Sequence, residues 1–273
     1  MSQISDFKSS PFALFGQGTS TTAGTGVTDA GIAREVGTRF MLDDGREVAL
    51  VSNAAVALVP ANLIQAEAEN VAFHKLAMTV PATYPASIGN NQILVTNGAT
   101  VLNVNQYQGG FASVTAGTGI GQSFRIASHA AAANGATFVV TIEEKILVTL
   151  DATSKITLMQ NLYKNVIQTP ITTATGATVG ISLYPVAAAV ASTYNATTGK
   201  LTTAGVEQYA FIGVRGMFNV LVDNTVTNVG YPIGVSKTTA GTVGLATLTT
   251  VPQIGISAQT LTSAETGMVY ISL

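Results

Sequence analysis

The chain has 273 residues, with 12 Lys and Arg, 14 Asp and Glu, a net charge of −2, and no cysteine or tryptophan. The lack of cysteine excludes disulfides, zinc–thiolate sites and thiol nucleophiles, and the lack of a basic stripe argues against nucleic-acid binding. With 47% hydrophobic residues and only 10% charged ones, the composition argues against disorder and favours a surface partly covered by neighbouring molecules.

Two features argue against a membrane partner or secretion. The most apolar runs, residues 54–61 and 184–191, are eight residues long and each contains a proline. A helical span needs about 18 or more apolar residues. The first six residues lack a basic segment followed by an apolar one, so we predict no secretory signal.

Residues 1–45 are predicted to form an extended N-terminal arm. Phe7, Phe12 and Phe15 come first, and a glycine- and threonine-rich tract without hydrophobic period follows over residues 16–28. Disorder is the usual fate of such a terminus, and order requires that it lie along its own domain or on a neighbouring subunit. We predict that Phe7, Phe12 and Phe15 are interaction residues.

Beyond the arm, the sequence predicts two β-rich domains, over residues 46–150 and 151–273. Asp44-Gly45 is a turn signal before a strand at 46–51, and the segment 61–76 is a helix candidate by propensity. Short β-branched runs predict further strands over 93–96, 100–104, 111–114, 122–127, 137–142, 146–150, 158–161, 163–169, 179–183, 208–214, 218–222, 231–235, 242–248, 253–256 and 268–272. This pattern is typical of a mainly β fold with one or two small β-sandwich or β-barrel domains.

The residues that could support catalysis are few and scattered. His74 and His129 are the only imidazoles, and Ser128 next to His129 would point to the opposite face of a strand. The acid pairs Glu143-Glu144 and Asp43-Asp44 are typical of solvated turns, because catalysis requires carboxylates that converge across a cleft. We therefore predict a non-enzymatic protein without catalytic residues, cofactor or metal site.

The glycine-rich segment 117–121, Gly-Thr-Gly-Ile-Gly, resembles a phosphate-binding loop. It lacks the lysine of such a loop, and it lies between predicted strands instead of opening a helix. A hairpin loop is therefore the favoured interpretation.

A series of short landmarks follows in a definite order along the chain. The landmarks are Gly45-Arg46 after an aspartate pair, Asn105-Gln106-Tyr107 with Gly109-Gly110, Gly119-x-Gly121, Arg125-Ile126-x-Ser128-His129, an apolar strand ending at Leu150, Ser154-Lys155-Ile156-x-Leu158, Asn161-Leu162-Tyr163-x-Asn165-Val166, Gln208-Tyr209 before Gly213, and Val220-Leu221-Val222-Asp223. As a series they resemble a family of tailed-bacteriophage virion proteins that are structural, head-decorating or capsid-stabilising. The resemblance runs from about residue 36 to the C terminus. It departs at Tyr209-Ala210-Phe211, where family members often carry Tyr-x-Trp.

The resemblance implies a capsid decoration, or cement, protein on the phage-head surface. Such a protein binds the outside of the shell, typically as a homotrimer, contacts the major capsid protein and bridges capsomers. Modest contacts repeated over several subunits give high avidity, because later contacts form at high effective concentration. The family supplies no catalytic residues.

Three alternatives remain open at this point. One is another virion part, such as a tail or fibre-associated protein, although a fibre would more often show repeats. Another is a bacterial surface or outer-membrane β-protein, which would need a signal peptide and aromatic girdles that the sequence lacks. The third is a glycan hydrolase on a virion, which would require an acid-lined cleft.

Overall fold

The computed structural model describes residues 35–68, 78–83, 86–171, 175–226, 228–236, 238–246 and 253–273, and the backbone of Val27–Thr28. Over these residues the chain forms strands and no helix, so the predicted mainly β fold is confirmed. No helix in this part of the chain is long and apolar enough to cross a membrane. Phe7, Phe12, Phe15 and His74 lie outside the described residues.

The described residues form nineteen strands, numbered in chain order. They are β1 (Val27–Thr28), β2 (Arg39–Met41), β3 (Glu47–Asn53), β4 (Leu63–Gln65), β5 (Met78–Thr79), β6 (Gln92–Thr96), β7 (Phe111–Ala116), β8 (Ser123–His129), β9 (Thr137–Ile142), β10 (Lys155–Met159), β11 (Ile167–Gln168), β12 (Thr178–Ser182), β13 (Thr193–Tyr194), β14 (Leu201–Thr203), β15 (Gln208–Leu221), β16 (Pro232–Val235), β17 (Val243–Leu245), β18 (Gln253–Ser257) and β19 (Thr266–Ser272).

These strands belong to two compact units. The barrel unit comprises the described parts of residues 69–161 and 192–205, and the sheet unit comprises those of 1–68, 162–191 and 206–273. The units differ from the predicted domains, 46–150 and 151–273. The physical reason is pairing at long range: β10 completes the barrel, and β3 pairs with β15 in the sheet.

The barrel unit is built around a closed barrel with the strand order β10-β5-β6-β9-β8-β7. Alternate residues of its strands point inward, as in β9, where Phe138, Val140 and Ile142 are buried. Leu102 and Tyr107, from the connection between β6 and β7, are fully buried in the same core. Closure gives every barrel strand two neighbours, so this sheet exposes no free edge.

The sheet unit has the strand order β11-β4-β12-β15-β19-β18-β16-β17, and β3 joins it through β15. The sequence predicts two strands, 208–214 and 218–222, where the structure has the single fourteen-residue strand β15. The register shift opposite β3, between Gly213 and Arg215, marks a bulge that bends the strand without ending it.

Both faces of β3 are buried, which explains its lack of polar alternation. Val48 and Leu50 contribute to one apolar cluster, whereas Ala49 and Val51 contribute to another. A strand buried on both faces reads as a continuous hydrophobic run. The predicted strand at 46–51 is therefore confirmed, with slightly different ends.

At the C-terminal end of the predicted arm 1–45, Arg39–Met41 forms β2, which pairs with β3.

Three predicted elements are wrong in the described residues. The helix candidate 61–76 contains β4, and its residues 69–76 lie outside the described part. The segments 100–104 and 146–150 are not strands, because Leu102 and Leu150 form only isolated bridges while their side chains fill the barrel core.

Candidate interaction surface

Three connections meet at one end of the barrel: residues 86–91 before β6, residues 117–122 between β7 and β8, and residues 143–154 between β9 and β10. Backbone hydrogen bonds join the first to the third. Gly89 N donates to Ile146 O at 2.9 Å, and Ile146 N donates to Asn90 O at 2.9 Å. These loops form a connected structure at this end of the barrel.

Large aliphatic side chains project from all three loops. Ile88 is 64% exposed, Ile120 66%, Leu147 73% and Val148 47%. A single exposed aliphatic residue is ordinary, whereas several on adjoining loops are typical of an interaction site. We call these four residues the apolar rim.

Gln122 fixes the backbone that carries the apolar rim. Its Oε1 atom accepts hydrogen bonds from Leu147 N at 2.9 Å and Val148 N at 3.0 Å. Its Nε2 atom donates to Val148 O at 3.1 Å and to Gly119 O at 3.2 Å. One amide thereby connects the loop of Ile120 to the loop of Leu147 and Val148, so these side chains extend from an ordered support.

Asp151 provides a second connection between the same loops. Its Oδ2 atom accepts from Thr118 Oγ1 at 2.7 Å, and its Oδ1 atom accepts from Thr153 Oγ1 at 2.6 Å. Ser154 is fully buried, and its hydroxyl donates to Thr118 O at 2.6 Å. The hydroxyls of Thr153 and Thr118 stabilise the carboxylate and lower the pKa of Asp151 below its usual 3.8.

Acid is expected to loosen the apolar rim through Asp151. Because its folded-state pKa is lowered, the carboxylate contributes stability above pH 3.8, and that stability is lost as the pH falls through the folded value. The variant Asp151→Asn should show faster amide exchange over residues 117–122 at pH 7. This difference from wild type should shrink as the pH falls through the lowered folded-state pKa of Asp151, because the wild-type carboxyl then becomes neutral as well; a difference that persists once the wild-type carboxyl is protonated would contradict the role of the charge.

His129 has a structural position in the barrel. Its side chain is buried, its Nε2 accepts from Tyr107 N at 2.9 Å, and its Nδ1 donates to Ala130 O at 3.0 Å. Because the Tyr107 N–H must donate, Nε2 carries no proton in this arrangement. Both ring nitrogens therefore form hydrogen bonds to backbone groups, which is the structural role expected for a buried histidine.

The acid pairs form turns and ion pairs at the surface. Glu143 lies 3.7 Å from Arg125 Nε, and Glu144 accepts from the backbone N of Arg125 at 2.7 Å. Asp44 accepts from Arg46 Nε at 2.6 Å in the turn between β2 and β3. In the described part of the chain, no group of three or more His, Asp and Glu side chains could hold a metal ion.

Several of the landmark residues connect loops to strands. Asn105 Oδ1 accepts from His129 N at 2.9 Å. In the sheet unit, Asn165 N donates to Ser52 Oγ at 3.2 Å, and Tyr163 OH accepts from Arg39 at 2.7 Å. These landmark residues therefore take part in hydrogen bonds that hold loops to strands within each unit.

The apolar rim is not predicted from the sequence. Leu147 and Val148 lie in a segment predicted as a strand, and Ile120 lies in the glycine-rich loop. A large aliphatic residue between two turn glycines, Gly119 and Gly121, is the signal that could have indicated it, because nothing in a tight turn buries such a side chain.

Comparison of the chain with known proteins identified no relative. No family model matches the chain, and searches of curated proteins and of solved structures found no match.

Proposed function

We propose that the protein is a non-enzymatic virion structural protein, namely a capsid decoration protein on the outer surface of a phage head. In this role, homotrimers contact the major capsid protein and bridge neighbouring capsomers. The ordered landmarks support the phage family. The apolar rim is the observation that best supports a role in binding.

The apolar rim has the properties of a preformed binding surface. Gln122 and Asp151 hold the loops of Ile120, Leu147 and Val148, and backbone bonds to Ile146 hold the loop of Ile88, so little backbone freedom is lost when a partner covers the apolar rim. Burial of a Leu or Ile side chain contributes about 1.5–3 kcal/mol. A few such side chains repeated over a symmetric shell give strong attachment from weak single contacts.

The test is attachment to purified heads that lack the protein. Replacing Leu147 with Asp should weaken the apparent affinity at least tenfold, because a carboxylate would have to be desolvated at the centre of the contact. Leu201→Asp is the matched control: Leu201 is 49% exposed in the same unit but lies on β14, outside the apolar rim. Occupancy on heads is measured by co-sedimentation and by electron-microscopy reconstruction.

Equal binding by Leu147→Asp and wild type would contradict attachment through the apolar rim. Failure of wild type to bind tail-less heads, with density on tails instead, would replace decoration with a tail-associated role. Hydrolysis of a surface glycan by the purified chain would favour the enzymatic alternative. Extraction only by detergent would favour the outer-membrane alternative.

The arm gives a second test, because β1 defines where it can be cut. Val27 and Thr28 pair with Tyr209 and Gln208 of β15, so deletion of residues 1–26 preserves this pairing. We expect the deletion to lower occupancy on heads while the circular dichroism spectrum of the β fold stays unchanged. The control replaces Phe7, Phe12 and Phe15 with serine in the full-length chain and should reproduce the loss; full occupancy in both variants would exclude an anchoring role for these phenylalanines.

A further inference from the structure

The chain contains two Asn-Gly pairs in the same local sequence. Asn97-Gly98 and Asn134-Gly135 are each followed by Ala-Thr. The two segments lie side by side in the barrel unit, because Gly135 N donates to Gly98 O at 3.2 Å and Asn97 N donates to Ala136 O at 2.8 Å. Asparagine is chemically labile before glycine, since glycine has no Cβ atom to keep its backbone nitrogen away from the asparagine amide. One reactive sequence therefore occurs in two structural settings.

The side-chain amide of Asn97 is buried and bound at both of its polar atoms. The residue is 4% exposed. Its Nδ2 atom donates to Thr100 O at 2.8 Å, to Ala133 O at 2.9 Å and to Ala132 O at 3.3 Å, and its Oδ1 atom accepts from Gly98 N at 2.8 Å. The Gly98 nitrogen is therefore close to the amide, but its N–H is engaged and burial keeps water and base away. We expect this pair to be protected.

The side-chain amide of Asn134 is exposed and makes no hydrogen bond within the described part of the chain. Asn134 and Gly135 occupy the two central positions of a β-turn that is closed by the bond from Ala136 N to Ala133 O at 3.1 Å. A Cβ atom added at Gly135 would have no neighbour within 4 Å, so the surroundings leave room for movement. Only the bond from Gly135 N to Gly98 O has to open before this nitrogen can reach the amide, and such local opening costs little in an exposed turn.

We propose that Asn134 is a site of spontaneous deamidation and that Asn97 is protected from it by the fold. The backbone nitrogen of Gly135 loses its proton to hydroxide and bonds to Cγ of Asn134. The bond from Cγ to Nδ2 then breaks, and the leaving nitrogen takes up a proton from water and departs as ammonia. A second water opens the succinimide ring at either carbonyl and gives aspartate or isoaspartate. The sum is the uptake of water and the release of ammonia, without an oxidant or an enzyme.

This modification is independent of the proposed attachment to phage heads. The turn of Asn134 directly precedes β9, whereas the loop that carries Leu147 follows β9. The new carboxylate therefore lies at the opposite end of this strand from the apolar rim. Deamidation is measured on the free protein, so it can fail while head binding stands, and head binding can fail while it stands.

The experiment compares the two pairs within one chain. The full-length protein is kept at mildly alkaline pH and sampled over several weeks, and a parallel sample is kept unfolded in urea. Peptide mapping by mass spectrometry detects the replacement of NH2 by OH, and isoaspartyl methyltransferase labels isoaspartate. In the native sample Asn134 should react at least about tenfold faster than Asn97, because the Asn97 amide must first break its hydrogen bonds. In urea the two rates should become similar, since the sequence Asn-Gly-Ala-Thr is the same.

Asn134→Gln is the matched variant, because its longer side chain would have to close a larger ring. The native variant should stay unmodified at this position, while its Asn97 should still react in urea. An unmodified Asn134 in native wild type, when the urea sample has reacted, would overturn the proposal. Equal native rates at the two asparagines, or a faster rate at Asn97, would also overturn it, because the fold would then not decide which pair reacts.

Discussion

Replacing His129 with alanine is expected to lower the free energy of unfolding of the barrel unit by about 3–5 kcal/mol. The imidazole is buried next to Tyr107 and Phe138, with ring centroids 6.0 and 6.1 Å away. Its loss leaves a cavity and removes the acceptor of the buried Tyr107 N–H. The alanine variant therefore loses both the packing of the imidazole and its hydrogen bond to Tyr107 N.

Urea unfolding measures the change in stability. Amide exchange of peptides that cover β8 and β9 then shows whether the loss lies in the barrel unit. Ser128→Ala is the matched control, since Ser128 is only partly buried and lies next to His129 in the same strand; it should change stability by less than about 0.5 kcal/mol. His129→Gln should recover part of the loss, because its amide oxygen can accept from Tyr107 N. A stability change below about 1 kcal/mol for His129→Ala would contradict the structural role.

The class of fold could be predicted because β-branched runs and turn residues act locally. The strand 137–142 is predicted at its observed bounds, since Asn134-Gly135 precedes it and its residues alternate between core and surface. Strand predictions fail for segments in which a buried apolar residue packs in the core but the backbone forms no strand. Leu102 and Leu150 show this: both are fully buried, and each forms one isolated bridge.

The division into units could not be predicted because it depends on contacts between distant residues. β3 pairs with β15 about 160 positions further along the chain, through contacts such as Phe211 with Leu50. Local patterns contain no information on such partners, and the predicted boundary at residue 150 separates β10 from the barrel it completes.

The candidate surface shows the same limit. Sequence patterns indicate which residues are apolar, but exposure is decided by what the fold places above them. Ile146 is buried, whereas Leu147, its neighbour, is 73% exposed. The side chain of Ile146 packs in the barrel core, whereas Gln122 binds the backbone N–H groups of Leu147 and Val148 at the end of the barrel.

The glycine-rich loop 117–121 supplies the second large expected effect, in Gly117→Ala. Gly117 has φ +77°, and a Cβ atom there would overlap with Thr153 O and lie 2.7 Å from Ser154 N. The contacted atoms are backbone, and Ser154 is fully buried with its hydroxyl bound to Thr118 O. We therefore expect a loss of about 3 kcal/mol or more, from strain and from displacement of the 151–154 turn.

Gly121→Ala separates this close approach from backbone strain. Gly121 has φ +91° in the same loop, but a Cβ atom added there would have no neighbour within 4 Å, so its substitution should cost only about 1–2 kcal/mol. Thermal unfolding of both variants gives the comparison, and head attachment shows whether the apolar rim moves with the loop. Equal losses of stability for Gly117→Ala and Gly121→Ala would mean that the positive φ, and not the close contact, is the reason for glycine at position 117. A larger loss for Gly117→Ala would establish that the close approach of the 151–154 turn requires glycine at position 117, so that packing accounts for this glycine of the phosphate-loop pattern.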